Sequence, residues 1–138
     1  MEISFTKMSA LWIKDGKVLV VRGTGDNFFK ALGGKIDPDE SDEDCLRREI
    51  KEECMCDLVS SEFLVEYKAQ PTHNEPKRYF DVRFYIVNVE GEPQLNPEDK
   101  TEEFLWLGKA EYENATHELT GTLQDEILPL LIEKGLVY

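Results

Sequence analysis

Positive charge is scarce in this chain. Sixteen lysines and arginines stand against 29 aspartates and glutamates, a net charge of −13. That balance excludes binding to a nucleic-acid polymer through a broad basic surface. It also means that a polyphosphate would be repelled unless metal ions offset the charge. Histidine and cysteine are scarce too, at two and three residues. An odd cysteine count offers no disulfide framework, and with no signal peptide evident the chain reads as a protein of the reducing cytoplasm. Cys54-Met55-Cys56 lacks the spacing and second ligand pair of a zinc knuckle, and His73 and His117 lie far off in sequence. Cys45, Cys54 and Cys56 therefore read as small buried thiols. No apolar run approaches the ~20 residues of a membrane span. There is no repeat, no low-complexity tract, no linker and no D-x-[DN]-x-[DN]-G calcium loop.

What is present suffices for one domain, residues 1–138, with 41% hydrophobic residues to supply its core. Met8 to Ile13 and Lys17 to Arg22 read as strands joined at Lys14-Asp15-Gly16, where Asp-Gly signals a hairpin. Phe28 to Leu32 leads into Gly33-Gly34 and a loop holding Asp37-Pro38-Asp39. Ser41 caps a helix to about Cys54, with Asp42, Glu43 and Asp44 in its first turn. Strands follow at Phe63 to Gln70 and Arg78 to Val89, the second from alternation of Phe80, Val82, Phe84 and Ile86. Gly91 to Lys100 is an acidic, proline-containing loop, and Phe104 to Leu107 a short strand. A last helix runs roughly from Thr122 to Lys134, with Pro129 predicting a kink or a late start. A mixed sheet between helices follows.

The chemistry concentrates on the first helix. Glu49, Glu52 and Glu53 fall at i, i+3 and i+4, so they share one arc about 100° wide. Three carboxylates so placed repel unless a cation sits among them, and a hard cation such as Mg²⁺ wants oxygen ligands. Arg48 neighbours Glu49, stands at i, i+4 to Glu52, and can fix a carboxylate rotamer. The rival reading of these groups is a solvated helix face with an ordinary surface ion pair.

Gly34 to Cys56 resembles the Nudix hydrolase signature: glycine, five residues, glutamate, seven residues, then Arg-Glu, an aliphatic, any residue, Glu-Glu, any residue, glycine, an aliphatic. Gly34, Glu40, Arg48-Glu49-Ile50 and Glu52-Glu53 match. Met55 and Cys56 depart, standing where a glycine and an aliphatic are usual. The resemblance implies an α/β/α sandwich around a mixed sheet. It also implies Mg²⁺- or Mn²⁺-dependent hydrolysis of a pyrophosphate bond in a nucleoside diphosphate linked to another moiety. The metal ligands would be Glu49, Glu52 and Glu53, with Gly34 contributing backbone. Glu52, Glu53 and Arg48 would serve catalysis, Glu103 would act as a further ligand or base with Glu102 second, and Glu40 would support the loop.

Several assignments stay open at this stage. Glycine at 55 would end the helix in a left-handed conformation, so Met55 leaves the helix terminus in question. Gly33 and Gly34 allow close backbone approach to phosphate or metal, although Leu32 replaces the proline common before that pair. Arg22, Lys30 and Lys35 flank the loop as phosphate contacts or as plain surface charges. Glu98 shares the acidic stretch before Phe104. Trp12, Phe28, Phe29 and Tyr79 either stack on a base or pack in the core. Pro71, fifteen residues past the signature, favours ADP-ribose only modestly. The lack of tyrosine at 72 to 74 weakly disfavours dinucleoside polyphosphates, and nucleoside triphosphates, including oxidised ones, are comparable candidates. A non-catalytic nucleotide-sensing module of the same family is the rival function. The partner is a nucleotide-type small molecule rather than a nucleic-acid polymer or a membrane, and a homodimer is left open.

Overall fold

A computed structural model of the chain describes residues 2–73 and 75–138. Six strands form one sheet: β1 (Ile3–Lys14), β2 (Lys17–Gly23), β3 (Lys30–Lys35), β4 (Asp57–Thr72), β5 (Glu75–Glu90) and β6 (Thr101–Leu107). Their spatial order is β4-β5-β1-β3-β2-β6. β1 runs parallel to β5 and antiparallel to β3, which makes the sheet mixed. The β1–β2 turn has positive φ at both Asp15 and Gly16, the geometry that suits a two-residue hairpin.

Because β1 lies inside the sheet, both of its faces are covered. Met8, Ala10 and Trp12 join Leu19, Val21, Leu32, Leu46 and Ile50 in a core under helix α1 (Asp42–Cys54). Leu11 joins Val18, Val20, Phe84, Leu123 and Leu131 in a second core on the opposite face. Helix α1 begins where Ser41 Oγ accepts the Asp44 N–H at 3.1 Å. Its apolar edge, Leu46, Ile50 and Cys54, is fully buried. Burial stabilises by roughly 1.5–3 kcal/mol for each large aliphatic. The helix ends at Met55 with φ 60° and ψ 33°, so methionine adopts the left-handed terminus that glycine usually takes.

The elements expected from sequence are all present, with shifted boundaries. β3 starts later than Phe28 and runs through the Gly33-Gly34 pair to Lys35, because both glycines pair with β1. β6 extends back to Thr101 and takes in Glu102 and Glu103, which pairing with β2 draws out of the loop. β4 is longer than Phe63 to Gln70. Pro71, expected in a turn, pairs with Tyr79 on this edge strand, where a missing N–H costs nothing. Asn74 of the same stretch lies outside the described residues.

The last helix is not one regular unit. Pro129 has no N–H, and the preceding turn widens: Leu128 N–H bonds to Leu123 O, giving a π-helical turn at Leu123–Ile127 before α3 (Leu128–Glu133). Helix α2 (Lys109–Glu113), which has no buried residue, was not expected, since an apolar period is what marks a helix in sequence.

Candidate active site

Helix α1 and the β3 glycines build this site together. Gly33 has φ +125°, and a Cβ there would stand 1.9 Å from the Met8 carbonyl oxygen, so only glycine lets β3 lie against β1. Gly33 N–H then donates to Glu53 Oε1 at 2.5 Å. At Gly34 a Cβ would fall 2.6 Å from the Glu49 carboxylate. The glycine pair is thus a side-chain-free strip with the Glu49 and Glu53 carboxylates packed on it.

Arg48 ties the loop to the helix. Its Nε donates to Glu40 Oε2 at 2.6 Å and its Nη2 to Glu40 Oε1 at 2.8 Å, a bidentate pair. Nη1 donates to Glu49 Oε1 at 2.8 Å and more distantly to Glu52 Oε2 at 3.3 Å. Nη2 also reaches the Lys35 carbonyl at 3.1 Å. Glu40 accepts the Asp37 N–H as well, which closes the loop on itself. The surface-pair reading of Arg48 therefore gives way to a buckle between loop and helix. The hydrogen bonds from Arg48 pull the Glu40 carboxyl down to about 2. The same bond raises Arg48 above the ordinary guanidinium value.

The helix carboxylates sit in different surroundings. Glu53 is buried, at 5% exposure, and that burial pushes its carboxyl up to about 8. Glu49 is also raised by burial, against the pull of Arg48. Glu52 is exposed on the same helix face. Among the described residues no group of three His, Cys, Asp or Glu stands as a ready chelate. The donor set nevertheless fits a hard divalent cation. It is all oxygen, two of its carboxylates are disfavoured as anions where they stand, and the third is held by long bonds only.

Other expected residues lie elsewhere. Arg22 pairs across β2 and β6 with Glu103 at 3.0 Å and reaches Glu102 at 3.7 Å. Those two carboxylates neutralise the arginine, and the bonds of Glu102 and Glu103 run to Arg22 rather than to α1. The acidic loop meets α1 through Asn96, whose Nδ2 donates to the Glu52 carbonyl at 3.0 Å, and Glu98 follows it with its N–H on Asn96 Oδ1. The Lys35 side chain is exposed. Trp12 and Phe29 are core residues. Phe28 stands against His73, with ring centroids 4.3 Å apart. Cys45, Cys54 and Cys56 are buried free thiols.

A pocket lies on the sheet face opposite α1. It holds about 420 Å³ of free space, mouth included, and Phe80, Val82, Phe84 and Ala31 line it with Lys7, Ser9 and Thr120. His73 also lines the pocket, and its Nε2 meets Glu118 Oε2 at 2.7 Å. Lys7 stands between the two halves of the site. It lines the pocket, while the charges of Glu53 and Glu49 act on its amine from the glycine strip. Burial and the Lys30 charge lower that amine to about 8. Sequence reasoning passed over Lys7. It lies one residue before the strand expected from Met8 to Ile13, and β1 in fact begins at Ile3.

A profile of the NUDIX domain matches residues 7–130. No curated protein sequence matches the chain. Among solved structures, a NUDIX hydrolase from Nitrosomonas europaea superposes with a TM-score of 0.69 at 16% identity, covering 97% of this chain and 91% of that one. A MutT NUDIX hydrolase from Burkholderia pseudomallei gives 0.64 at 23% identity, covering 75% and 81%. A bifunctional NMN adenylyltransferase/ADP ribose pyrophosphatase from Francisella tularensis gives 0.68 at 18% identity, covering 96% of this chain and 42% of that one.

Proposed function

The chain belongs to the Nudix hydrolase family, and from that premise we propose that it hydrolyses a pyrophosphate bond in a nucleoside diphosphate linked to another group, using Mg²⁺ or Mn²⁺. The observation that carries the reading is the placement of Glu49 and Glu53 against Gly33 and Gly34, with Glu52 on the same helix face and Arg48 buckling the loop to the helix. Glu49, Glu52 and Glu53 would hold the metal, with Gly34 beside them. The bound cation would neutralise the phosphates and polarise the attacked phosphorus.

The protein's own groups do the rest. Arg48 fixes the Glu49 rotamer and holds the loop through Glu40, which keeps the ligand face preorganised. Glu52 and Glu53, as carboxylates of the ligand face, would also help take the proton of the attacking water. Lys30 sets positive charge beside Glu49 and Glu53. The pocket across the sheet, walled by Phe80 and Phe84, takes the nucleoside base. Products are a nucleoside monophosphate and a phosphate-bearing remainder. Both nucleoside triphosphates and ADP-ribose-like compounds fit this scheme. Glu103 enters it as a further base only if substrate draws it away from Arg22.

A panel of nucleoside triphosphates, ADP-ribose and dinucleoside polyphosphates, incubated with Mg²⁺ or Mn²⁺ and resolved by chromatography, tests the reading. Release of a nucleoside monophosphate from at least one class is the expected result. Binding without any cleavage would favour the sensing module.

A further inference from the structure

The Lys7 amine is the unusual group of the base pocket. It comes from β1, opposite Lys35 of β3 and Val82 of β5, so its backbone is fixed on both sides. The residue is half-buried. Among the described residues its Nζ makes no hydrogen bond and no ion pair; Glu53 and Glu49 act on it only as charges. An ammonium carries three donors and no acceptor. Solvent in the mouth of the pocket meets those donors, and an occupant that displaces that solvent must supply an acceptor in its place.

The rest of the lining narrows what that occupant is. Phe80, Val82, Phe84 and Ala31 make apolar walls, which suit a flat ring and not a charged phosphate chain. No aspartate or glutamate is among the residues lining the pocket. A base that turned an exocyclic amino group toward Lys7 would set donor against donor. A base that turned a ring carbonyl there would gain a charge-assisted hydrogen bond. Guanine O6 and the O4 of uracil or thymine are such carbonyls, whereas adenine and cytosine carry amino groups at those positions.

We propose that Lys7 is a specificity-determining residue that makes this pocket select keto bases, guanine, hypoxanthine, uracil or thymine, over the amino bases adenine and cytosine. The proposal rests on the reading of the pocket as the base site. The test pairs two readouts on the full-length chain. The first is the thermal shift given by GMP, IMP, UMP, AMP and CMP without divalent metal, which needs no hydrolysis. The second is kcat and KM for GTP, ITP, UTP, ATP and CTP with Mg²⁺.

The wild-type protein should be stabilised more by GMP, IMP and UMP than by AMP and CMP. The loss of one charge-assisted hydrogen bond is worth roughly tenfold or more, so Lys7→Met should cut the GTP-over-ATP ratio of kcat/KM by that factor, through the KM for keto substrates. A wild-type protein that binds adenine and guanine nucleotides equally overturns the proposal, and that measurement does not depend on the variant folding. So does a Lys7→Met variant whose kcat falls by the same factor for every base, since Lys7 would then serve the carboxylates or the phosphates. Keto-selective shifts without hydrolysis of any nucleotide would uphold Lys7 while sinking the catalytic reading.

Discussion

Glu53 and Gly33 are twenty positions apart in sequence and are joined by a 2.5 Å hydrogen bond from the glycine N–H to the buried carboxylate. That bond pins the fourth turn of the helix to the sheet, so one residue is both a structural anchor and a candidate metal ligand, and burial raises its carboxyl against the pull of the bond. Separating those two roles by substitution is the first experiment.

Glu53→Gln keeps an amide oxygen that can accept the Gly33 N–H, and Glu52→Gln changes an exposed side chain. Both variants should fold, and each should lose about 10² or more in turnover, because each removes a charged metal ligand. Circular dichroism and steady-state kinetics check the two halves. Near-wild-type rates in both variants would refute the assigned site.

The pH dependence of stability isolates Glu53. Its folded-state carboxyl is raised by burial from 4.5 to about 8. A raised folded value gives stability that is complete below the unfolded value and is lost as pH climbs through the folded one. Metal-free wild-type protein should therefore lose melting temperature between about pH 5 and 8 relative to Glu53→Gln. The lowered Lys7 amine works in the other direction above that window, which is why the comparison is made at each pH against the variant. Parallel curves would remove burial as the governing influence on Glu53.

Gly34→Ala adds one methyl group at a non-strained φ, aimed at the Glu49 carboxylate 2.6 Å away. The obstacle is the end of a flexible side chain, so the fold should tolerate it. Glu49 must move, and its bond to Arg48 should loosen with it. Catalysis should fall about tenfold or more, since small displacements of ligands are costly to preorganised sites. An unaffected kcat would detach Glu49 from the reaction.

Met55→Gly relieves a left-handed methionine. Strain of roughly 1 kcal/mol is recovered, partly offset by the greater freedom of glycine in the unfolded chain. The melt should stay level or rise by an amount worth up to about 1 kcal/mol. A clear loss would mean that the half-exposed methionine side chain packs more productively than its backbone suggests.

Mg²⁺ or Mn²⁺ should raise the melting temperature beyond Na⁺ at matched ionic strength, because a ligand of the folded state stabilises it by mass action. The shift should saturate, shrink in Glu49→Gln and grow with a non-hydrolysable nucleoside diphosphate compound. If divalent ions do no more than sodium, with and without nucleotide, the metal reading is lost.

What could be read from sequence followed from periodicity and short-range chemistry. The first helix, its Ser41 cap, the Asp15-Gly16 hairpin and the shared arc of Glu49, Glu52 and Glu53 are local consequences of residue order. The helix end at Met55 stayed open in sequence, and the structure shows methionine taking the left-handed terminus. Contacts formed only by the tertiary fold were not. Nothing near Arg22 in sequence shows that Glu102 and Glu103 will be brought beside it by the β2–β6 pairing. Lys7 drew no reading from sequence, because only the pairing of β1 with β3 and β5 places it at the pocket. The close approach expected at Gly33 is real, but the chain itself fills it: the carbonyl of Met8 lies against it and Glu53 takes its amide.

The parallel pairing of β1 with β5 also bears on how the molecule is made. β1 leaves the ribosome before the other strands of this sheet, yet the partner on one of its sides spans Glu75–Glu90. Until that segment is synthesised, the nascent chain holds a hairpin and a helix around an open hydrogen-bonding edge. Such an edge invites pairing with other chains, and closing it late costs loop entropy that local contacts do not repay. A delay before residues 75–90 emerge from the ribosome would therefore keep that edge of the central strand open, and their emergence lets β5 enclose it.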